Sequence, residues 1–120
     1  MKRLKLVFAA VMAASLVAGL ASCAPVKLDV SDVSAIVDLR TAEEFEKSHI
    51  VGAINIDFAA GGFAAEASSL RRNGKYYMYG KDEAQVSSAM DEMSMMGFVN
   101  VTNIGSFEDA VRLLPLGVTP

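Results

Sequence analysis

Two rhythms of apolar and polar residues divide the chain after its first two dozen positions. Short apolar runs read as buried strands, and longer stretches with apolar residues three or four apart read as helices. Ala35-Ile36-Val37 is the first buried run, ending in Asp38-Leu39-Arg40. Thr41-Ala42-Glu43-Glu44 fits a capping box, in which the Thr41 hydroxyl accepts from the first helical turn and Glu44 reaches back to the Thr41 N–H. A short helix through Phe45 follows, then a turn over Ser48 to Ala53 and a second strand, Ile54-Asn55-Ile56. Before this block, Val26 to Val30 reads as a short edge strand and Ser31-Asp32 as a turn.

Beyond it lies a small-residue loop from Phe58 to Phe63, then a helix from Ala64 to Leu70 ending near Arg71-Arg72. Asn73-Gly74 marks a turn. Lys75 to Tyr79, rich in tyrosine, has strong strand character. Asp82 caps the next helix with Gln85 three residues on, and Val86, Ala89, Met90, Met93 and Met96 form its buried face. Gly97 ends that helix. Val99 to Thr102 is a further strand, and Ser106-Phe107-Glu108-Asp109 opens a last helix. Strands alternating with helices at this spacing predict an α/β domain: a small three-layer arrangement with a mainly parallel central sheet and helices on both faces.

The first two dozen residues follow a different pattern. Lys2, Arg3 and Lys5 form a positive start, and Leu6 to Leu20 is apolar and uncharged. Leu20-Ala21-Ser22-Cys23 then looks like a bacterial lipobox, which implies cleavage before Cys23 and acylation of its thiol. The alternatives are an ordinary secretory signal or an uncleaved anchor, although the run is short for a membrane span of about 20 residues. The expected organisation is a signal peptide at residues 1–22, a lipidated tether at 23–27 and one domain at 28–120. Two or more acyl chains make a stable anchor. At ~3.3 Å per extended residue, four tether residues reach only ~13 Å, which keeps the domain near the bilayer. The expected location is the cell envelope, by resemblance the outer membrane facing the periplasm if the source is Gram-negative.

Removing Lys2, Arg3 and Lys5 lowers lysine plus arginine from 11 to 8 against 14 acids, a formal net charge of −6. That balance argues against a nucleic-acid partner, since phosphate contacts need clustered bases. Cys23 is the only cysteine, so no internal disulfide forms.

One stretch carries a more specific signal. Asp38, Arg40, Thr41, Glu44-Phe45, His49-Ile50, Gly52-Ala53 and Asn55 stand at the spacing of Asp-x-Arg, a small polar residue, Glu-Phe and His-Ile-x-Gly-Ala-x-Asn. This resembles the first signature of the rhodanese-like (sulfurtransferase) domain. Gly97-Phe98-Val99-Asn100-Val101, Ile104-Gly105 and Ala110 resemble that family's closing pattern, without the tryptophan often found near its end. The resemblance covers roughly Leu28 to Leu113. It implies that Asp38, Arg40, Glu44, His49, Gly52 and Asn55 are architectural, bracing turns through hydrogen bonds.

In active members of that family a strand ending in an aromatic residue runs into a nucleophilic cysteine. The loop after it, often closed by an arginine, stabilises a thiolate and an incoming anion with backbone N–H groups and a helix dipole. Here the corresponding run is Tyr79-Gly80-Lys81-Asp82-Glu83-Ala84-Gln85. Gly80 occupies the nucleophile position and Gln85 stands where the arginine often falls. Asp82 and Glu83 bring negative charge to the helix start, offset only by Lys81. A degenerate loop of Lys81, Asp82, Glu83, Ala84 and Gln85 is therefore expected to cap a helix rather than cradle an anion.

Other chemistry has less support in the sequence. Ser87, Ser88 and His49 lie in different elements with no triad spacing. Met78, Met90, Met93, Met95 and Met96 suggest soft-metal binding outside the cytoplasm, but methionine at helical spacing is ordinarily core filler. The expectation is a membrane-anchored, catalytically inactive module with no cofactor and no metal. Its partners would be membrane lipid through acylated Cys23 and an unidentified protein or small ligand. The alternative is a sulfurtransferase-related role that borrows a partner's thiol.

Overall fold

The computed structural model describes residues 26–120, so the signal peptide expected at 1–22, the lipidation expected at Cys23 and most of the expected tether lie outside the described residues. Four strands form the main sheet: β1 (Ala35–Asp38), β3 (Ile54–Asn55), β4 (Tyr76–Gly80) and β5 (Val101–Ser106), in the order β3-β1-β4-β5. All neighbours in it are parallel. Two residues of β2 (His49–Ile50) pair antiparallel with β6 (Val118–Thr119) in a separate ladder. The helices are α1 (Ala42–Lys47), α2 (Phe63–Ala67), α3 (Glu83–Met95) and α4 (Phe107–Leu113).

The three layers follow from the period of two in the strands. Val37, Tyr76 and Met78 point to one face, under Phe63 and Ala67 of α2 and Val86, Ala89 and Met93 of α3. Ile36, Tyr77 and Tyr79 point to the other, against Ile50 and Ala110, with Phe45 of α1 and Phe107 of α4 packed alongside. Successive side chains in a strand face opposite ways. Each run of two or three apolar residues therefore feeds both cores, and both faces of the parallel sheet are covered.

Three local expectations are corrected. Val26 to Val30 is not a strand: the Leu28 N–H donates to the Leu113 carbonyl at the end of α4, which takes the segment away from the sheet edge. The strand expected at Val99 starts at Val101, and Val99 itself is 85% exposed. Glu44 makes no bond back to Thr41; only the Thr41 hydroxyl acts, accepting the Glu44 N–H at 3.2 Å. A reciprocal capping box forms instead at Ser106 and Asp109, at the start of α4.

One irregularity shapes the sheet. Met78 pairs with Asn103 but Tyr79 pairs with Gly105, so β5 carries an extra residue. Gly105 has φ +97°, a left-handed conformation that only glycine adopts at little cost. The bulge turns Ile104 into the core beside Tyr79.

Candidate functional site

The carboxyl ends of β1, β4 and β5 converge on one end of the sheet, the usual place for a site in an open parallel fold. β1 ends in a buried ion pair. Arg40 Nη2 lies 2.8 Å from Asp38 Oδ2, and Arg40 Nε donates to Oδ1 at 3.1 Å. The Arg40 backbone N–H donates to the same carboxylate at 2.9 Å. Asp38 is fully buried and Arg40 nearly so. Burial opposes the guanidinium charge, yet the hydrogen bond and negative charge of Asp38 more than offset it and raise the Arg40 pKa.

The remaining donors of Arg40 complete a frame. Nη2 donates to the Ser48 carbonyl at 2.6 Å, and the guanidinium carbon sits 4.0 Å from the centroid of the Phe107 ring. Asn55 Nδ2 donates to the carbonyls of Asp38 and Arg40, each at 3.0 Å. These bonds tie the loop after β1 to β3 and to the approach to β2. His49 lies on the same frame: its ring stacks on Phe45 at 3.7 Å and its Nδ1 is 2.8 Å from the Phe45 carbonyl. A carbonyl only accepts, so Nδ1 carries the proton. Gly52 holds the turn between β2 and β3 at φ +84°. Glu44 is exposed, and its backbone rather than its carboxylate is engaged.

β4 delivers Tyr79 and then Gly80 to the same end. Tyr79 is fully buried, and its hydroxyl accepts the Ile50 N–H at 3.1 Å. Burial pushes its phenol well above the ordinary value, so it stays protonated. At Gly80 a Cβ would meet Gln85 Oε1 at 2.5 Å. That oxygen accepts the Lys81 N–H at 3.0 Å, while Asp82 Oδ1 accepts the Gln85 N–H at 2.8 Å. The two bonds run in opposite directions between the loop and the first turn of α3, one using the Lys81 N–H of the loop and the other the Gln85 N–H of the helix. Beside them an open cavity of about 360 Å³ is lined by Phe58, Ala59, Lys81, Asp82, Gln85 and Ser88.

Two contributors carry little sequence signal. Asn103 in β5 donates through Nδ2 to the Glu83 carbonyl at 3.3 Å and to Ser87 Oγ at 3.2 Å, pinning the start of α3. Asn103 lies just past the strand expected at Val99 to Thr102, so the sequence gives no hint of it. Phe107 was visible as a helix-start residue, but nothing in the sequence pairs it with Arg40.

The structure does not bring the other candidates together. Ser88 Oγ donates to the Ala84 carbonyl, Ser87 engages Asn103, and His49 engages Phe45. Met78 and Met93 are in the core, Met90 and Met96 pack against it, and Met95 is 81% exposed. Among the described residues no group of three or more histidine, cysteine or acidic side chains is placed to hold a metal. Among them, too, no helix is long and apolar enough to cross a membrane.

A family model for the rhodanese-like domain matches residues 21–112, most of the chain. The chain belongs to the rhodanese-like domain family. Among solved structures, this rhodanese-like domain is similar to one from an Anabaena sp. protein, with a TM-score of 0.63 and 24% identity over 72% of this chain and 98% of that one. A structure described as rhodanese with anions from E. coli has a TM-score of 0.59 and 24% identity, covering 71% and 95% of the two chains. A rhodanese-related protein from Thermoplasma volcanium matches with a TM-score of 0.59 and 20% identity, over 71% and 82%. These likenesses establish the rhodanese-like fold; no curated protein matches the chain.

Proposed function

We propose that this rhodanese-like domain is a catalytically inactive binding module, held at a cell-envelope membrane by acylated Cys23. One observation carries the reading: β4 ends in Gly80, and the space beyond its α-carbon is taken by the amide oxygen of Gln85. Transfer by a cysteinyl persulfide needs sulfur at the end of that strand. The chain has one cysteine, in the lipobox, where acylation consumes it.

The polar groups around Gly80 support the same view. A bound anion would draw on backbone N–H groups of the loop, as at other helix starts. Here Gln85 takes the Lys81 N–H and Asp82 takes the Gln85 N–H. Carboxylates at Asp82 and Glu83 add repulsion and stabilise the helix instead. In this chain the carboxyl end of the sheet serves its own backbone. The ligand is then an unidentified protein or small molecule meeting the open cavity beside Gln85.

That cavity also favours a second reading, in which a partner's thiol enters beside Gly80 and the domain acts in sulfur transfer with borrowed chemistry. The two part in one assay. Processed, lipidated protein is incubated with thiosulfate and cyanide, alone and with envelope thiol proteins. Thiocyanate formation by neither mixture supports the binding module. Formation only with the thiol proteins favours the second reading, and formation by the domain alone contradicts both.

A further inference from the structure

The two ends of the parallel sheet are chemically unlike, and the chain enters at one of them. β1, β3, β4 and β5 all point the same way, so Ala35 and Tyr76 mark an amino end, with Asp38 and Gly80 at the other. Five residues of β4 separate these ends by about 13 Å at ~3.3 Å per residue. α4 follows the carboxyl end of β5 and runs back, so its last turn lies at the amino end. Lys27 Nζ donates to the Arg112 carbonyl there at 2.6 Å, and the Leu28 N–H to Leu113 at 2.8 Å. The described chain therefore begins at the amino end, on the opposite side of the sheet from Gly80.

That end is also where apolar surface is left uncovered. A cavity of about 260 Å³ opens between Val30, Val33, Ala35, Val51 and Leu116. Val26 is 84% exposed, and Val51 and Val118 are each 44% exposed. Val51 and Val118 belong to one surface, since the Val51 N–H donates to the Gly117 carbonyl and Val118 pairs with Ile50. Charge separates the ends as well. At the amino end charges of both signs occur: Lys75 pairs with Asp32, Lys27 and Arg72 bond the Arg112 and Met96 carbonyls, and Asp29 accepts the Ser31 N–H. At the carboxyl end Glu43, Glu44, Asp82 and Glu83 sit in the starts of α1 and α3 and Asp57 accepts the Ala42 N–H, against Lys81 and Lys47, because Arg40 is paired with Asp38.

We infer that the domain rests on a lipid surface with its amino end down. The cavity of Val30, Val51 and Leu116 then faces the headgroups, and the Gly80–Gln85 loop faces water. The inference rests on acylation of Cys23. Cys23 lies three residues before Val26, so it reaches no more than ~11 Å beyond that side chain's backbone. A domain tethered so closely must present some face to the bilayer. The balanced, apolar end meets anionic lipid without repulsion, whereas the acidic end does not. The result puts the loop that the family uses for chemistry at the point farthest from the membrane, open to a partner in solution.

The test uses the lipidated protein in vesicles of phosphatidylethanolamine and phosphatidylglycerol. An environment-sensitive fluorophore is attached in turn to Val51→Cys, Val118→Cys and Ser88→Cys, and brominated lipids are added as quenchers. Position 51 and position 118 serve as independent probes, so a poorly folding variant at one leaves the other. The expected result is quenching several-fold stronger at 51 and 118 than at 88. Equal quenching, stronger quenching at 88, or a blue shift at 51 without quenching (a second copy of the chain as the occupant) overturns the orientation. Mass spectrometry of the same samples separates the two claims. An acylated N-terminus with the wrong quenching pattern defeats the orientation alone, and an unacylated one defeats the anchor together with it.

Discussion

The side-chain oxygen of Gln85 lies 3.0 Å from the backbone nitrogen of Lys81 and covers the α-carbon of Gly80. A strand end, a helix cap and a blocked pocket are thereby one structural unit. Any attempt to restore a nucleophile must first displace that amide.

Gly80 is not in a left-handed conformation, so its backbone accepts a side chain; the obstacle is Gln85 Oε1, at the far end of a flexible side chain. Gly80→Cys is therefore expected to fold. Its thiol is expected to titrate above the ordinary value of about 8.5, because Asp82 and Glu83 disfavour a thiolate beside them. The rate of alkylation against pH, with Cys23→Ser as background, checks this. A thiol titrating below its ordinary value would mean that the helix dipole overrides both carboxylates.

Arg40 and Asp38 form a buried pair whose spare donors go to Ser48. Removing one partner strands a buried charge. Arg40→Met or Asp38→Leu alone is expected to cost about 3–5 kcal/mol in urea unfolding, and the double replacement less than the sum of the two. Additive losses would show that the pair is not a coupled unit.

Helix caps give smaller, local effects. Asp82→Ala and Ser106→Ala each remove an acceptor from a helix start and are expected to cost about 0.5–2 kcal/mol. Thr41→Ala removes a cap from a helix of only six residues that buries none of them, and should cost less. Denaturant midpoints for the three variants give the ranking.

Stability should also fall on acidification. Asp109 is held below its ordinary 3.8 by the Ser106 backbone N–H and by Arg112, and Asp29 by the Ser31 N–H. The unfolded chain then binds more protons than the folded one. These carboxylates contribute fully above about 4, and their contribution is lost as pH drops through their folded values. Lys75 has the opposite sign: Asp32 raises its pKa above 10.5, so its contribution is present below that value and lost above it. Thermal melts from pH 2 to pH 6 should show a falling midpoint at the acid end, and Asp109→Asn should flatten it.

The α/β alternation and both capping residues of the central loop were legible because they depend on neighbours in sequence. Asp82 and Gln85 are three residues apart and their bonds span three and four, although Gln85 takes the Lys81 N–H where a reciprocal capping box would take that of Asp82. The β2–β6 ladder was not legible: His49 pairs with Thr119, and two residues show no period. Val26, Leu28 and Val30 alternate like a strand, but the N–H of Leu28 finds α4 instead of a sheet edge. β5 runs on to Ser106, past the Thr102 at which the pattern ends it, because the bulge at Ile104 and Gly105 carries the pairing on to Tyr79 and Gly80.

The proposed inactivity requires that the processed chain hold no sulfur-accepting group. The most direct measurement is intact mass spectrometry of the purified, processed protein after incubation with excess thiosulfate. The proposed function predicts no gain of a sulfur atom anywhere on the polypeptide, and fatty acyl groups on Cys23. A stable adduct of one sulfur atom on the chain, discharged by cyanide as thiocyanate, would contradict it.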